Sequence, residues 1–178
     1  MRLILPVLAI AALALPAAAQ DATVIVKLKG PKGEDIGTAT LAEAPKGVLI
    51  NINARGLAPG WHGLHFHEKG DCSAPDFKSA GGHVHGEATM VHGLLNPDAN
   101  EAGDLPNLWV GADGVGMTQV FSPWTSLKGA NGRLALQDKD GSAVVIHAKP
   151  DDHRTQPIGG AGDRVACGVI GGGGHAAH

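Results

Sequence analysis

Short runs in which apolar and polar residues alternate, each closed by glycine or proline, limit what this chain can fold into. Residues 22–29 (ATVIVKLK), 37–42 (GTATLA), 47–54 (GVLININA) and 61–67 (WHGLHFH) carry the two-residue period of a strand with one face turned to a core. Residues 108–110, 115–121, 134–136, 143–148 (AVVIHA) and 165–170 continue the series. With 27 glycines and 11 prolines in 178 residues, turns are frequent and long helices are not. The pattern predicts one all-β domain, a sandwich or barrel of about eight antiparallel strands.

Two stretches break the rhythm, residues 69–107 and 150–164. Both are rich in Gly, Pro, Asp and Asn, and they hold many of the charged and histidine residues. Long loops inside a small domain are usually functional, and these are read so. The chain also begins in a different register. Met1 and Arg2 precede an apolar run over 3–16 and then Ala17, Ala18 and Ala19. A positive start, an apolar stretch and small residues at the end describe a secretory signal peptide over 1–19, cut after Ala19. The run is too short and wrongly flanked for a stable membrane span. The domain then covers 20–170, and 171–178 (GGGGHAAH) forms a flexible tail.

Export places the chain in the periplasm or outside the cell. Its even cysteine count, Cys72 and Cys167, favours a disulfide in that setting. Two free thiols or thiolate zinc ligands are the alternatives, and neither cysteine has a second one nearby. The formal charge of −3 becomes more negative when Arg2 is removed. Such a balance argues against a nucleic-acid partner.

The histidines carry the chemistry. There are 10, most of them in one third of the sequence. His65 and His67 stand at i and i+2 on a strand, so they share a face and can share a metal. His83 follows in the first long loop, and His147 lies in the run 143–148. Three or four imidazoles suit copper, zinc, nickel or iron. His62, three residues before His65, points to the opposite face and is structural.

Longer segments resemble the copper/zinc superoxide dismutase family. Residues 62–72 (HGLHFHEKGDC) resemble its first signature, and 79–83 (SAGGH) the segment with its bridging histidine. Residues 103–107 (GDLPN) are similar to its bacterial zinc-aspartate segment, and 159–170 (GGAGDRVACGVI) to its C-terminal signature. The resemblance spans the mature chain except the tail. It implies a Greek-key β-barrel with two long functional loops, and disproportionation of superoxide to dioxygen and hydrogen peroxide by copper cycling between two oxidation states. It also implies residue roles. His65, His67, His83 and His147 would bind copper, with His83 bridging to zinc. His92 and Asp104 would bind zinc. Asp151 would link a copper ligand to a zinc ligand, Cys72 would pair with Cys167, and Arg164 would attract the anion. His83 would exchange copper for a proton in the reduced state. Both monomers and homodimers fit the resemblance.

The family pattern fails at one point. Where a third zinc histidine would stand, three residues before Asp104, the chain has Glu101, and it carries an extra His85 two residues after His83. Three arrangements stay open. His85, which shares a face with His83 in an extended segment, is the first choice. Glu101 is the second, since carboxylate oxygen is a good zinc ligand. The third is a copper-only enzyme. His153 faces either solvent or the substrate channel, and His175 and His178 in the tail could capture metal loosely. Lys69, Lys149 and Arg154 could add to steering. Trp61, Trp109 and Trp124 are expected in the core or an interface. The competing function is an exported copper or zinc carrier on the same fold. Arg164 and the full histidine set favour the enzyme.

Overall fold

The computed structural model describes residues 22–86 and 89–171. The expected signal peptide over 1–19 and nearly all of the tail, with His175 and His178, lie outside them. Alternation produces the strands where it was read: β1 (Thr23–Lys29), β2 (Asp35–Ala44), β3 (Gly47–Arg55) and β4 (Gly60–His67) come first. After the first long loop follow β5 (Asp104–Val110), β6 (Val115–Ser122), β7 (Thr125–Ser126), β8 (Leu134–Ala135), β9 (Ala143–His147) and β10 (Arg164–Val169). Eight of them close an antiparallel barrel in the order β1-β10-β9-β4-β5-β6-β3-β2. The barrel form removes the exposed edges that an open sandwich would keep.

Two details differ from the sequence reading. The 134–136 run is not a barrel strand; as β8 it pairs in parallel with β7, a two-residue strand too short to show a period. And β5 begins at Asp104, inside what was read as loop, because Asp104 pairs with His65 of β4.

The strand faces divide the labour. Leu64 and Phe66 of β4 and Val144 and Ile146 of β9 turn inward and join Leu28, Leu41, Ile50, Ile52 and Leu108 in one continuous core. Each such fully buried side chain contributes roughly 1.5–3 kcal/mol. The alternate residues of the same strands, His65, His67, Val145 and His147, face outward, yet they too are buried. What covers them is the pair of long loops. The 69–103 loop is laid on β4 by hydrogen bonds from Glu68 N to Gly82 O, Val84 N to Phe66 O and Phe66 N to Gly103 O. Gly103 permits this approach, since a Cβ there would strike the Phe66 carbonyl. The site therefore lies between barrel wall and loops, outside the barrel core.

None of the three tryptophans is core. Trp61, Trp109 and Trp124 are 53%, 52% and 62% exposed. Trp61 and Trp109, paired across β4 and β5, pack edge to face on the outer surface at 5.0 Å.

Candidate metal centre

Pairing across β4, β9 and β10 fixes the first group of candidate ligands. Register puts His65 beside Val145, and Arg164 beside His147. His83 reaches the same place from the loop, held by a backbone bridge to His67. One ring nitrogen from each of His65, His67, His83 and His147 lies within 4.8 Å of the others, and all four residues are buried.

In each of these rings one nitrogen is engaged and the other is not. His65 Nε2 donates to Asp151 Oδ2 at 2.8 Å. His67 Nδ1 donates to Gly81 O at 2.9 Å, and His147 Nδ1 to Gly162 O at 3.0 Å. His83 Nδ1 faces two carboxylates. The opposite nitrogens, His65 Nδ1 and Nε2 of His67, His83 and His147, are buried and make no hydrogen bond. A buried, unpaired polar atom costs about 1–3 kcal/mol, so four at one point need a common partner. Four imidazole nitrogens, each aimed by a bond at its ring's other nitrogen, fit a copper ion.

A second group adjoins the first. His83 Nδ1 lies 2.8 Å from Glu101 Oε2 and 3.0 Å from Asp104 Oδ1, while His92 Nδ1 lies 3.1 and 2.9 Å from the same oxygens. Two imidazole nitrogens and two carboxylate oxygens so close together fit a tetrahedral zinc ion. His83 belongs to both groups, one nitrogen to each. His85, the first choice from sequence, stands outside. Its Nδ1 lies 2.7 Å from the His83 carbonyl, and its backbone pairs with Glu101. The extended geometry does place His85 near the site, but the close group of donor atoms includes Glu101 and not His85. Asp151 joins the groups, accepting from His65 at Oδ2 and from His92 Nε2 at Oδ1, 3.0 Å away.

The electrostatics separate the two groups. Burial, reinforced by the charge of His83, pulls His65 down to about 3 and His67 well below its ordinary value. Burial likewise lowers His147 to about 4. These rings stay neutral, with lone pairs free for a metal. His83 and His92 are buried too, but adjacent carboxylates outweigh the desolvation. His83 is raised by Asp104 and Glu101, and His92 to about 11 by Asp104, Asp151 and Glu101. Burial would raise Glu101, Asp104 and Asp151, yet hydrogen bonds from the histidines hold all three below the usual carboxylate range.

Comparison with known proteins agrees with this geometry. The sequence pattern of copper/zinc superoxide dismutase (SODC) matches residues 36–170. The Cu-Zn superoxide dismutase of Caulobacter vibrioides is 63% identical over 150 residues, covering 84% of this chain and 85% of the relative. The chain belongs to the copper/zinc superoxide dismutase family. Among solved structures, a SOD-like protein from Bacillus subtilis matches with a TM-score of 0.75 at 40% identity, covering 82% of this chain and 97% of that one. The Cu/Zn superoxide dismutase from Brucella abortus gives 0.67 at 32% identity, over 84% and 99%.

Two further features tie this family member's loops down. Cys72 and Cys167 form a disulfide with a Cα–Cα distance of 5.8 Å, joining the first loop to β10. Arg164, half-buried, donates to the carbonyls of Phe77 and Gly81, both at 2.6 Å. The Gly81 carbonyl also accepts from His67 Nδ1, so the guanidinium stands beside this first group.

Sequence reasoning assigned no role to Asn107 or Gln156. Asn107 Nδ2 donates to Asp151 O at 2.8 Å, and its Oδ1 accepts from Asp151 N at 2.9 Å. Gln156 does the same for His92, accepting from its N–H and donating to its carbonyl. Asn107 closes the GDLPN segment, which was the available signal; Gln156 had none. His62 bridges the carbonyls of Ala58 and His147, away from the metal groups. His153 reaches the site's edge, with Nδ1 3.4 Å from Asp151 Oδ2. The Arg154 guanidinium bonds to the Leu95 carbonyl and so joins the two loops.

Proposed function

We propose that this chain disproportionates superoxide, with copper held by His65, His67, His83 and His147, and zinc by His83, His92, Glu101 and Asp104. The observation that carries the reading is the set of four buried ring nitrogens without hydrogen-bond partners, aimed at one point. Bound copper supplies one-electron chemistry, by which one superoxide loses its electron to become dioxygen and another gains it and, with two protons, becomes hydrogen peroxide.

The chain's own residues do the rest. Asp151 fixes the planes of His65 and His92 together. The bonds of His67 to Gly81 O and His147 to Gly162 O set their tautomers. His83, with Nδ1 on the carboxylate side, can hold a proton at Nε2, where the second product needs one. Arg164 is pinned by two carbonyls, so its charge is fixed beside the copper group. It attracts the anion locally although the chain is net negative, as in the electrostatic steering for which superoxide dismutase is a standard illustration. The segment 1–19 directs export and is removed after Ala19; the domain 20–170 with its tail then works in the periplasm or outside the cell, on a small anion.

The test is superoxide consumption by protein loaded with both metals. The expected result is fast dismutation that slows with rising salt, with Arg164→Ala slower by about tenfold or more and less salt-sensitive. A fully loaded, disulfide-intact protein without activity would make it a metal carrier.

A further inference from the structure

A cavity of about 560 Å³ opens on the zinc side of the centre, between the loop carrying residues 93–102 and the β7–β8 segment. Leu94, Asn100, Trp124 and Leu134 line it together with the buried Glu101 and Asp104. The two carboxylates are held differently. Asp104 belongs to β5, is paired with His65, and accepts a hydrogen bond at Oδ2 from Gly93 N at 2.7 Å. Glu101 belongs to the loop, tied at its backbone by the bridge to His85. Its contacts to the cluster run through Oε2 alone, and among the described residues no hydrogen bond reaches Oε1. One ligand is therefore locked into a strand, and the other is a loop carboxylate that meets the cavity.

We propose that this cavity is the exchange door of the zinc site, and that Glu101 is the ligand that swings aside to open it. The inference rests on the reading that His83, His92, Glu101 and Asp104 hold zinc. A carboxylate can turn about its side-chain bonds and change the oxygen it offers, so an incoming donor can displace it stepwise. An imidazole leaves only as a whole ring. Trp124, an exposed residue, is the bulkiest in the lining. The incoming ligand is a small chelating molecule with oxygen, nitrogen or sulfur donors, able to enter a passage of this size while the barrel stays folded. The exchange is a ligand substitution without redox change: one metal–carboxylate bond breaks as one metal–donor bond forms.

The experiment follows zinc transfer from the fully metal-loaded protein to the chromogenic chelator 4-(2-pyridylazo)resorcinol across a range of chelator concentrations. The native rate is expected to rise with chelator concentration, as it does when the chelator enters before the metal leaves. Trp124→Ala widens the passage and should speed release about tenfold, whereas Ala99→Trp fills it and should slow release by a similar factor. Glu101→His replaces the swinging carboxylate and should also slow release. If Ala99→Trp does not fold, Trp124→Ala decides alone, since it truncates an exposed side chain. A native rate independent of chelator concentration would overturn the proposal, as would Trp124→Ala releasing zinc at the native rate. Failure of the underlying reading looks different: the native protein would bind less than one zinc, or Glu101→Ala and Asp104→Ala would leave its zinc content unchanged.

Discussion

Asn107 holds Asp151 by both backbone groups, and Asp151 in turn orients one ring in each metal group. Partners at this remove are typically worth about 10–100-fold in metal affinity. Asn107→Ala is therefore expected to weaken zinc and copper together by about that factor, read by competition with chelators of known affinity. Loss of thermal stability with both affinities unchanged would show that Asn107 merely braces the loop. Glu101 gives a second expectation at this scale. Removing a ligand should cost most of the zinc affinity, while an imidazole can replace a carboxylate oxygen on zinc. Glu101→Ala should lose zinc and Glu101→His retain it, in metal analysis after dialysis. Equal zinc content in both variants would remove Glu101 from the ligand set.

Among the elements, the long loops depend on a few fixed points. The disulfide ties Cys72 to Cys167 across 95 residues, and Cys167 sits with Phe77, Ala80, Ala143 and Val145 in a small second core beneath the loop. In the chain-entropy picture a loop of that length is worth roughly 4–5 kcal/mol. Reduction should thus lower the thermal midpoint clearly, and the 69–103 loop should exchange its amide protons faster. An unchanged midpoint would mean the metals and loop packing already hold the segment. The second loop has its own requirement at Gly159, with φ of 59°, where a Cβ would collide with the Asp151 carboxylate. Gly159→Val should displace Asp151 and reproduce the metal loss of Asn107→Ala.

For the whole molecule, the buried histidines set how metal-free stability varies with pH. His65 and His147 are held near 3 and near 4, and His67 is lowered as well. As pH falls below the ordinary histidine value of about 6.5, the unfolded chain binds protons at these three positions and the folded one does not. Stability must fall with pH in that range. His83 and His92, raised in the folded protein, are protonated in both states below about 6.5 and add no slope there; their contribution fades only as pH climbs above it. The lowered carboxylates act in the same direction as the three neutral histidines, at more acid pH. The metal-free thermal midpoint should therefore drop steadily from about pH 6.5 to about pH 4. A midpoint constant over that interval would contradict the neutral buried rings.

Sequence alone located the eight barrel strands, apart from the start of β5, because a two-residue period is a local property that each run expresses without its neighbours. It also supplied the pool of imidazole and carboxylate donors, since side-chain chemistry does not depend on folding. It could not decide between His85 and Glu101. Both lie near His83, and only the folded loops show which side chain stands with His83, His92 and Asp104, namely Glu101. Nor could it show that outward-facing histidines would be buried, that Asn107 would grip a residue 44 positions away, or that a cavity would be lined by Glu101 and Asp104. Those features depend on two loops closing over one barrel wall, and contacts between distant segments leave no periodic trace in the chain.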